Sequence, residues 1–184
     1  MTAMLVTVAA LIIGAAIAAE PAGSEQPGRR GGGELTPSQV LDLAAEVVNE
    51  HGLRVEPRLV AAVAMAESAG DPTARRQEPS VSDVSLGLMQ TLTRTAQAVA
   101  DRGFVAFGQQ VPVERLIEPR VSLYYGAAYL SVLRRWQGRQ RDTAWVLRSY
   151  NGGPGADSEA TRDYARRVQR WMERMSRRLA AGGQ

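Results

Sequence analysis

The chain has 184 residues, 45% of them hydrophobic and 22% charged, which is enough for one globular domain of ordinary size. It has no cysteine, which excludes disulfides, thiolate metal sites and a lipid-modified N-terminal cysteine. A single histidine, His51, excludes a histidine-based zinc site and a Ser-His-Asp triad. The net charge is +3 and all 22 basic residues are arginine; this modest excess suits anionic polymers, while the lack of aromatic–basic interleaving or a recognition motif speaks against nucleic acid.

Residues Met4 to Ala19 are apolar and uncharged, and at sixteen residues they fall short of the roughly 20 that a membrane span needs. Ala16-Ile17-Ala18 fits a small-x-small cleavage pattern, although no lysine or arginine precedes the apolar run. Residues 1–19 therefore read as an export signal or a short uncleaved anchor. Either places the rest outside the cytoplasm, periplasmic or extracellular, with the anchor attaching it to a membrane. Residues 20–35 are rich in Gly, Pro, Ser, Glu and Arg, cannot bury a core, and read as a flexible linker.

The folded part is expected over residues 36–179. Thr36-Pro37-Ser38-Gln39 is a capping-box start, and Val40, Leu41, Ala44, Val47 and Val48 follow at helical spacing until Gly52. His51, next to Gly52, suits the negative end of that helix. Pro57 opens a second helix with Leu59, Val60, Val63 and Ala64 as its apolar stripe. Glu67 lies seven residues after Val60, on the same core-facing side, where an anion is costly to bury. Residues 71–85 are polar and turn-rich, with room for a small hairpin near 76–86. Further helices are expected from about Thr91 to Arg102, from Pro119 to before Gly138, from about Asp142 to Tyr150, and from about Ser158 to Leu179. The fold class is mostly α: one domain of about six helices with at most a small β-hairpin, ending in an unstructured tail over 180–184. The last helix stacks Arg166, Arg170 and Arg174 at four-residue spacing, either a solvated face or a contact for anionic glycan or lipid headgroups.

Four motifs in order carry the chemistry. Glu67-Ser68 is followed by Gly70-Asp71-Pro72 and Ala74, then by Ser85-x-Gly87-Leu88-Met89-Gln90 with Thr95-Ala96. Gly126-x-x-Tyr129-Leu130 and Tyr150-Asn151-Gly152-Gly153-Pro154-Gly155 complete the set. Over roughly Ser38 to Met175 the chain resembles the soluble lytic transglycosylase catalytic domain of the lysozyme-like superfamily. The resemblance implies cleavage of the β-1,4 bond between N-acetylmuramic acid and N-acetylglucosamine in peptidoglycan, leaving a 1,6-anhydro end. It implies that Glu67 is the lone acid and base, with the substrate's acetamido group assisting, outside the two-carboxylate scheme. It implies that Ser85 orients the acid or the acetamido group, that Met89 and Gln90 line the saccharide cleft, and that Tyr150 hydrogen-bonds the acid. Asn151 either shapes the glycine turn or touches sugar, Tyr129 fits packing better than contact, and Gly152, Gly153 and Gly155 answer backbone requirements. No metal and no organic cofactor are implied. The expected partner is the peptidoglycan glycan strand, with cell-wall or secretion machinery as possible company for such a domain.

The physical chemistry agrees with that role for Glu67. A free glutamic acid titrates near about 4.3, and burial beside apolar groups raises this until one residue can donate and accept near neutrality. The chain departs from the resemblance at Gly70, where many members carry an aromatic, and at Thr93, where a proline is usual. The loop between Glu67 and Gly87 is also longer, adding Glu78 and Asp83. Goose-type lysozymes share the Gly-Leu-Met-Gln motif and hydrolyse with the help of aspartates; Asp83 could hold a water for that reaction, about 6.5–9.5 Å from the acid. A non-catalytic peptidoglycan-binding protein is the third alternative.

Overall fold

A computed structural model describes residues 33–182 of the chain, with six α-helices and one three-stranded sheet among them. The expected export segment and nearly all of the linker lie outside the described residues.

Helix α1 (Pro37–Glu50) begins with a closed capping box: the Gln39 amide donates to Thr36 Oγ1 (3.3 Å) and the Thr36 amide to Gln39 Oε1 (2.9 Å). Val40, Ala44, Val47 and Val48 form its buried stripe, and Gly52 turns the chain at φ +59°. His51 packs edge-on against Tyr124, ring centroids 4.9 Å apart. Helix α2 (Pro57–Ser68) is buried through seven consecutive residues, Leu59 to Met65. A helix apolar on all sides belongs at the centre of a domain, and its alanines at 61, 62 and 64 let α1 and two later helices approach closely. It ends in left-handed turns at Ala69 (φ 55°) and Gly70 (φ 95°). A Cβ on Gly70 would lie 2.2 Å from the Leu35 carbonyl oxygen, because the chain entering α1 crosses here and donates Leu35 N–H to Gly70 O (2.8 Å). The departure from an aromatic at this position thus has a steric cause.

Strands β1 (Arg75–Glu78), β2 (Asp83–Leu86) and β3 (Thr91–Leu92) form an antiparallel sheet in that order. The register sets Arg76 against Ser85 and Ser85 against Leu92. A 3-10 turn over Pro79–Val81 and a left-handed Ser82 connect the first two strands. The third strand extends the expected hairpin, because Thr91 and Leu92 pair with β2 instead of starting the next helix. Helix α3 (Thr93–Ala100) is shorter than expected for the same reason.

Helix α4 (Pro119–Arg134) is the second central element, buried from Val121 through Ser131. The turn Gly87–Gln90 docks on it with Leu88 and Met89 fully buried. A Cβ on Gly126 would lie 2.6–2.7 Å from Met89 side-chain atoms, so α4 needs glycine where the turn presses on it. Helix α5 (Thr143–Gly152) is capped by Asp142, which accepts from the Trp145 amide (2.7 Å), and runs past the expected end into the glycine turn. Helix α6 (Glu159–Gly182) packs on α2 and α5 through Tyr164, Ala165, Val168 and Met175. It continues beyond Leu179, so residues 180–182 are helical where a tail was expected. Arg166, Arg170 and Arg174 lie on its exposed face.

Gly126→Ala tests the contact between α4 and the turn. Overpacking against Met89 is expected to cost about 1–3 kcal/mol of stability, read as a lower urea midpoint at unchanged m-value.

Candidate active site

Glu67 is the penultimate residue of α2, so its carboxyl sits where the helix dipole is negative. The residue is half-buried, open to a cleft on one side and closed in by its neighbours elsewhere. Desolvation is the largest influence and pushes its carboxyl above the ordinary glutamate range. The buried Tyr164 hydroxyl of α6 partly offsets this from beside the carboxyl, although it reaches no partner in standard hydrogen-bond geometry. The charges of Arg76 and Arg167 also pull the value down, and Glu78 pushes it further up. The net result is a carboxyl shifted toward its neutral form relative to a free glutamate.

Glu67 opens onto a cleft whose walls come from several elements. The sheet provides Arg76, Glu78 and Ser85; the turn and β3 provide Gln90 and Thr91. Tyr129 of α4, with Tyr150 and Asn151 of α5, closes the far side. Five of the six residues singled out in the sequence therefore meet in one cavity: Glu67, Ser85, Gln90, Tyr150 and Asn151.

Their contacts differ from the expected ones in three places. Met89 does not line the cleft: its side chain is fully buried against Gly126, and the residue acts through its backbone. Tyr150 donates its hydroxyl to the Met89 carbonyl (2.8 Å), not to Glu67. Burial in turn raises the Tyr150 phenol, with Glu67 adding to the rise. Ser85 does orient an acid, but that acid is Glu78, whose Oε1 accepts from Ser85 Oγ at 3.1 Å. Gln90 adopts φ 45° and donates from Nε2 to the Ala74 and Gly87 carbonyls, both at 3.0 Å. Its Oε1 makes no such bond among the described residues and remains a possible acceptor on a residue that lines the cleft.

Asp83 is occupied elsewhere. Its carboxylate accepts from the Thr93 hydroxyl, the Val84 amide (2.8 Å), and the Arg94 amide and guanidinium (both 3.1 Å). Burial alone would raise this carboxyl, but those bonds together outweigh it and hold Asp83 below the usual aspartate range. It serves as a long-range cap for α3 and does not line the cleft. Thr93, where the resemblance led to a proline being expected, supplies one of those bonds.

Tyr164 and Arg167 were not singled out as site residues in the sequence. Both lie on the last helix, where the signal was dominated by exposed arginines; a tyrosine on the apolar stripe of that helix was the only hint. Arg76 gave no signal beyond its place in a polar loop.

Residues 47–171 match the family model of the transglycosylase SLT domain, and the chain belongs to that family. Its fold is similar to that of an inactive mutant of the lytic transglycosylase Slt from Pseudomonas aeruginosa. That match has 22% identity and a TM-score of 0.60, over 76% of this chain and 24% of the other. It is also similar to the 70 kDa soluble lytic transglycosylase from Escherichia coli, at 23% identity and a TM-score of 0.56, over 71% of this chain and 23% of the other. The chain thus spans about a quarter of the length of each of these proteins. No curated protein matches it in sequence.

The raised Glu67 carboxyl has a consequence for stability. In the unfolded chain it titrates near about 4.3, so between that value and the higher folded one the native state binds more protons. Stability therefore falls as pH rises through that window and stays reduced above it. Glu67→Gln removes the effect: the variant is expected to melt at higher temperature than wild type at pH 7, with the gap closing below about pH 4. Thermal unfolding followed by circular dichroism across that range checks it, and a gap independent of pH would contradict it.

Proposed function

We propose that the chain is a peptidoglycan lytic transglycosylase that cleaves the N-acetylmuramic acid–β-1,4–N-acetylglucosamine bond and leaves a 1,6-anhydro end. Membership of the SLT domain family supports the reaction class, and the carrying observation is the raised Glu67 carboxyl at the floor of the cleft. A neutral Glu67 gives its proton to the glycosidic oxygen as that bond breaks. The resulting carboxylate then takes the proton from the muramic 6-hydroxyl as that oxygen bonds to the anomeric carbon. One residue ends the cycle in its starting protonation state, and no water is consumed. A carboxyl with an ordinary value would be almost wholly ionised near neutrality and a poor acid for the first step.

The bonds that hold Asp83 to Thr93 and Arg94 argue against hydrolysis by way of that carboxylate. The substrate lies outside the cytoplasm, which fits the reading of residues 1–19 as an export signal or anchor. We include export to the periplasm or cell exterior in the proposal on that ground. The exposed Arg166, Arg170 and Arg174 offer a face for anionic wall or membrane groups, and such a contact would weaken as salt rises.

Glu67→Gln is expected to lower the clearing of purified sacculi at least a thousandfold while leaving binding intact. Mass spectrometry of wild-type products should show anhydro ends. Ends heavier by one water would instead mean a hydrolase, and full activity in the variant would mean that another group is the acid.

A further inference from the structure

A second cavity, of about 570 Å³, opens where the C-terminal ends of α1, α3 and α4 come together. Cavities of roughly 300–1,000 Å³ are the size that takes a ligand of several groups. No residue lines both this cavity and the cleft that holds Glu67, so it is a separate site.

Its lining is of two kinds. Leu53, Phe104 and Trp136 give it apolar walls, and each of them also packs against the core behind. Arg54, Arg102 and Arg135 are exposed around these walls, and no acidic residue is among those that line the cavity. Helix ends carry partial negative charge, which draws arginines to such places. Arg102 answers this by donating Nη1 to the Ala98 carbonyl (2.7 Å). Arg54 and Arg135 make no side-chain hydrogen bond or ion pair among the described residues, since the neighbouring acids are engaged elsewhere: Glu50 by Arg120, Glu56 by Arg58 and Asp101 by Gln97. Trp136 is set at the cavity by a 3-10 turn, Trp136–Gly138, in which Gln137 takes the left-handed region (φ 53°). That conformation is costly for a residue with a Cβ, so the turn that folds Trp136 back is held at some expense of stability.

We propose that this cavity docks a short acidic segment of a partner protein. Its carboxylates pair with the guanidinium groups, and one apolar side chain seats against Leu53, Phe104 and Trp136. A guanidinium matches a carboxylate as a planar fork, and arginine, tryptophan and phenylalanine are the residues enriched where proteins meet. An inorganic anion would leave the apolar walls uncovered, and an uncharged apolar chain would leave the cationic side unmet; a segment with both kinds of group satisfies both. The site is independent of the reaction proposed for Glu67, because it shares no lining residue with that cleft.

The full chain is titrated calorimetrically with the synthetic peptide acetyl-Glu-Asp-Phe-Glu-Asp-amide, and with a control in which lysine replaces each acid. The acidic peptide is expected to bind and the control not to bind. Arg54→Gln, Arg135→Gln and Trp136→Ala should each weaken binding about tenfold, and raising salt from about 0.05 to 0.5 M should weaken it further. The two arginine variants should keep the wild-type circular dichroism and the wild-type clearing of sacculi, which separates lost docking from lost folding. No binding of the acidic peptide at about 1 mM, or equal binding by all three variants, would overturn the site. Displacement of the peptide by an equimolar amount of inorganic phosphate would make it a simple anion site and overturn the peptide ligand. Tighter binding of a soluble wall stem peptide, or a loss of sedimentation with anionic vesicles in the same variants, would overturn the assignment to a protein partner. Failure of Glu67→Gln to lose activity would sink the transglycosylase reading and leave these binding results standing.

Discussion

For the proposed reaction, Glu67 has to be dry enough to hold its proton and open enough to meet a glycan. Helix α2 meets the first demand by being apolar on every side through Met65, so its last turn emerges from the middle of the core. The helix is stopped within two residues by the left-handed turns at Ala69 and Gly70, which leaves the carboxyl at the edge of the packed interior. The other elements of the site are arranged around that edge. The sheet, the turn before β3, and helices α4, α5 and α6 each bring at least one polar side chain toward the same carboxyl.

The electrostatics there are a balance of opposed terms. Burial and the Glu78 anion favour the neutral acid, while Tyr164, Arg76 and Arg167 favour the carboxylate. Arg76 acts twice, as it also holds Glu78 in place. The net direction is upward, because burial is the largest of these influences. Asp83 shows the opposite use of a carboxylate in the same loop: its oxygens are spent on the start of α3, which fixes the wall of the cleft and leaves nothing for catalysis.

The turn Gly87–Gln90 ties core and cleft together. Leu88 and Met89 are buried while Gln90 faces the cavity, and the change of direction is made by positive φ at Gly87 and Gln90. A Cβ on Gly87 would lie 2.1 Å from the Leu116 carbonyl oxygen. The Met89 carbonyl then fixes Tyr150, so a buried residue without cleft exposure still positions one that has it.

The sequence by itself determined the helices, because each depends on local features. The Thr36–Gln39 box, the prolines opening α1, α2 and α4, and the apolar spacing are all readable within a few turns of chain. It also placed Glu67 on the buried face, through its offset from Val60, and four ordered motifs marked the family. Which side chains meet that acid was decided only by tertiary structure. Ser85 and Glu78 are seven residues apart, yet their contact depends on an antiparallel register that no local pattern fixes in a short polar loop. The Tyr150 hydroxyl goes to Met89, and Tyr164 reaches Glu67 from the last helix, because helix packing sets those distances. The resemblance put Met89 in the cleft, but a glycine on α4 leaves room in the core that its side chain fills. Periodicity records which face of an element is apolar; the partner that face finds depends on contacts between residues far apart in the chain.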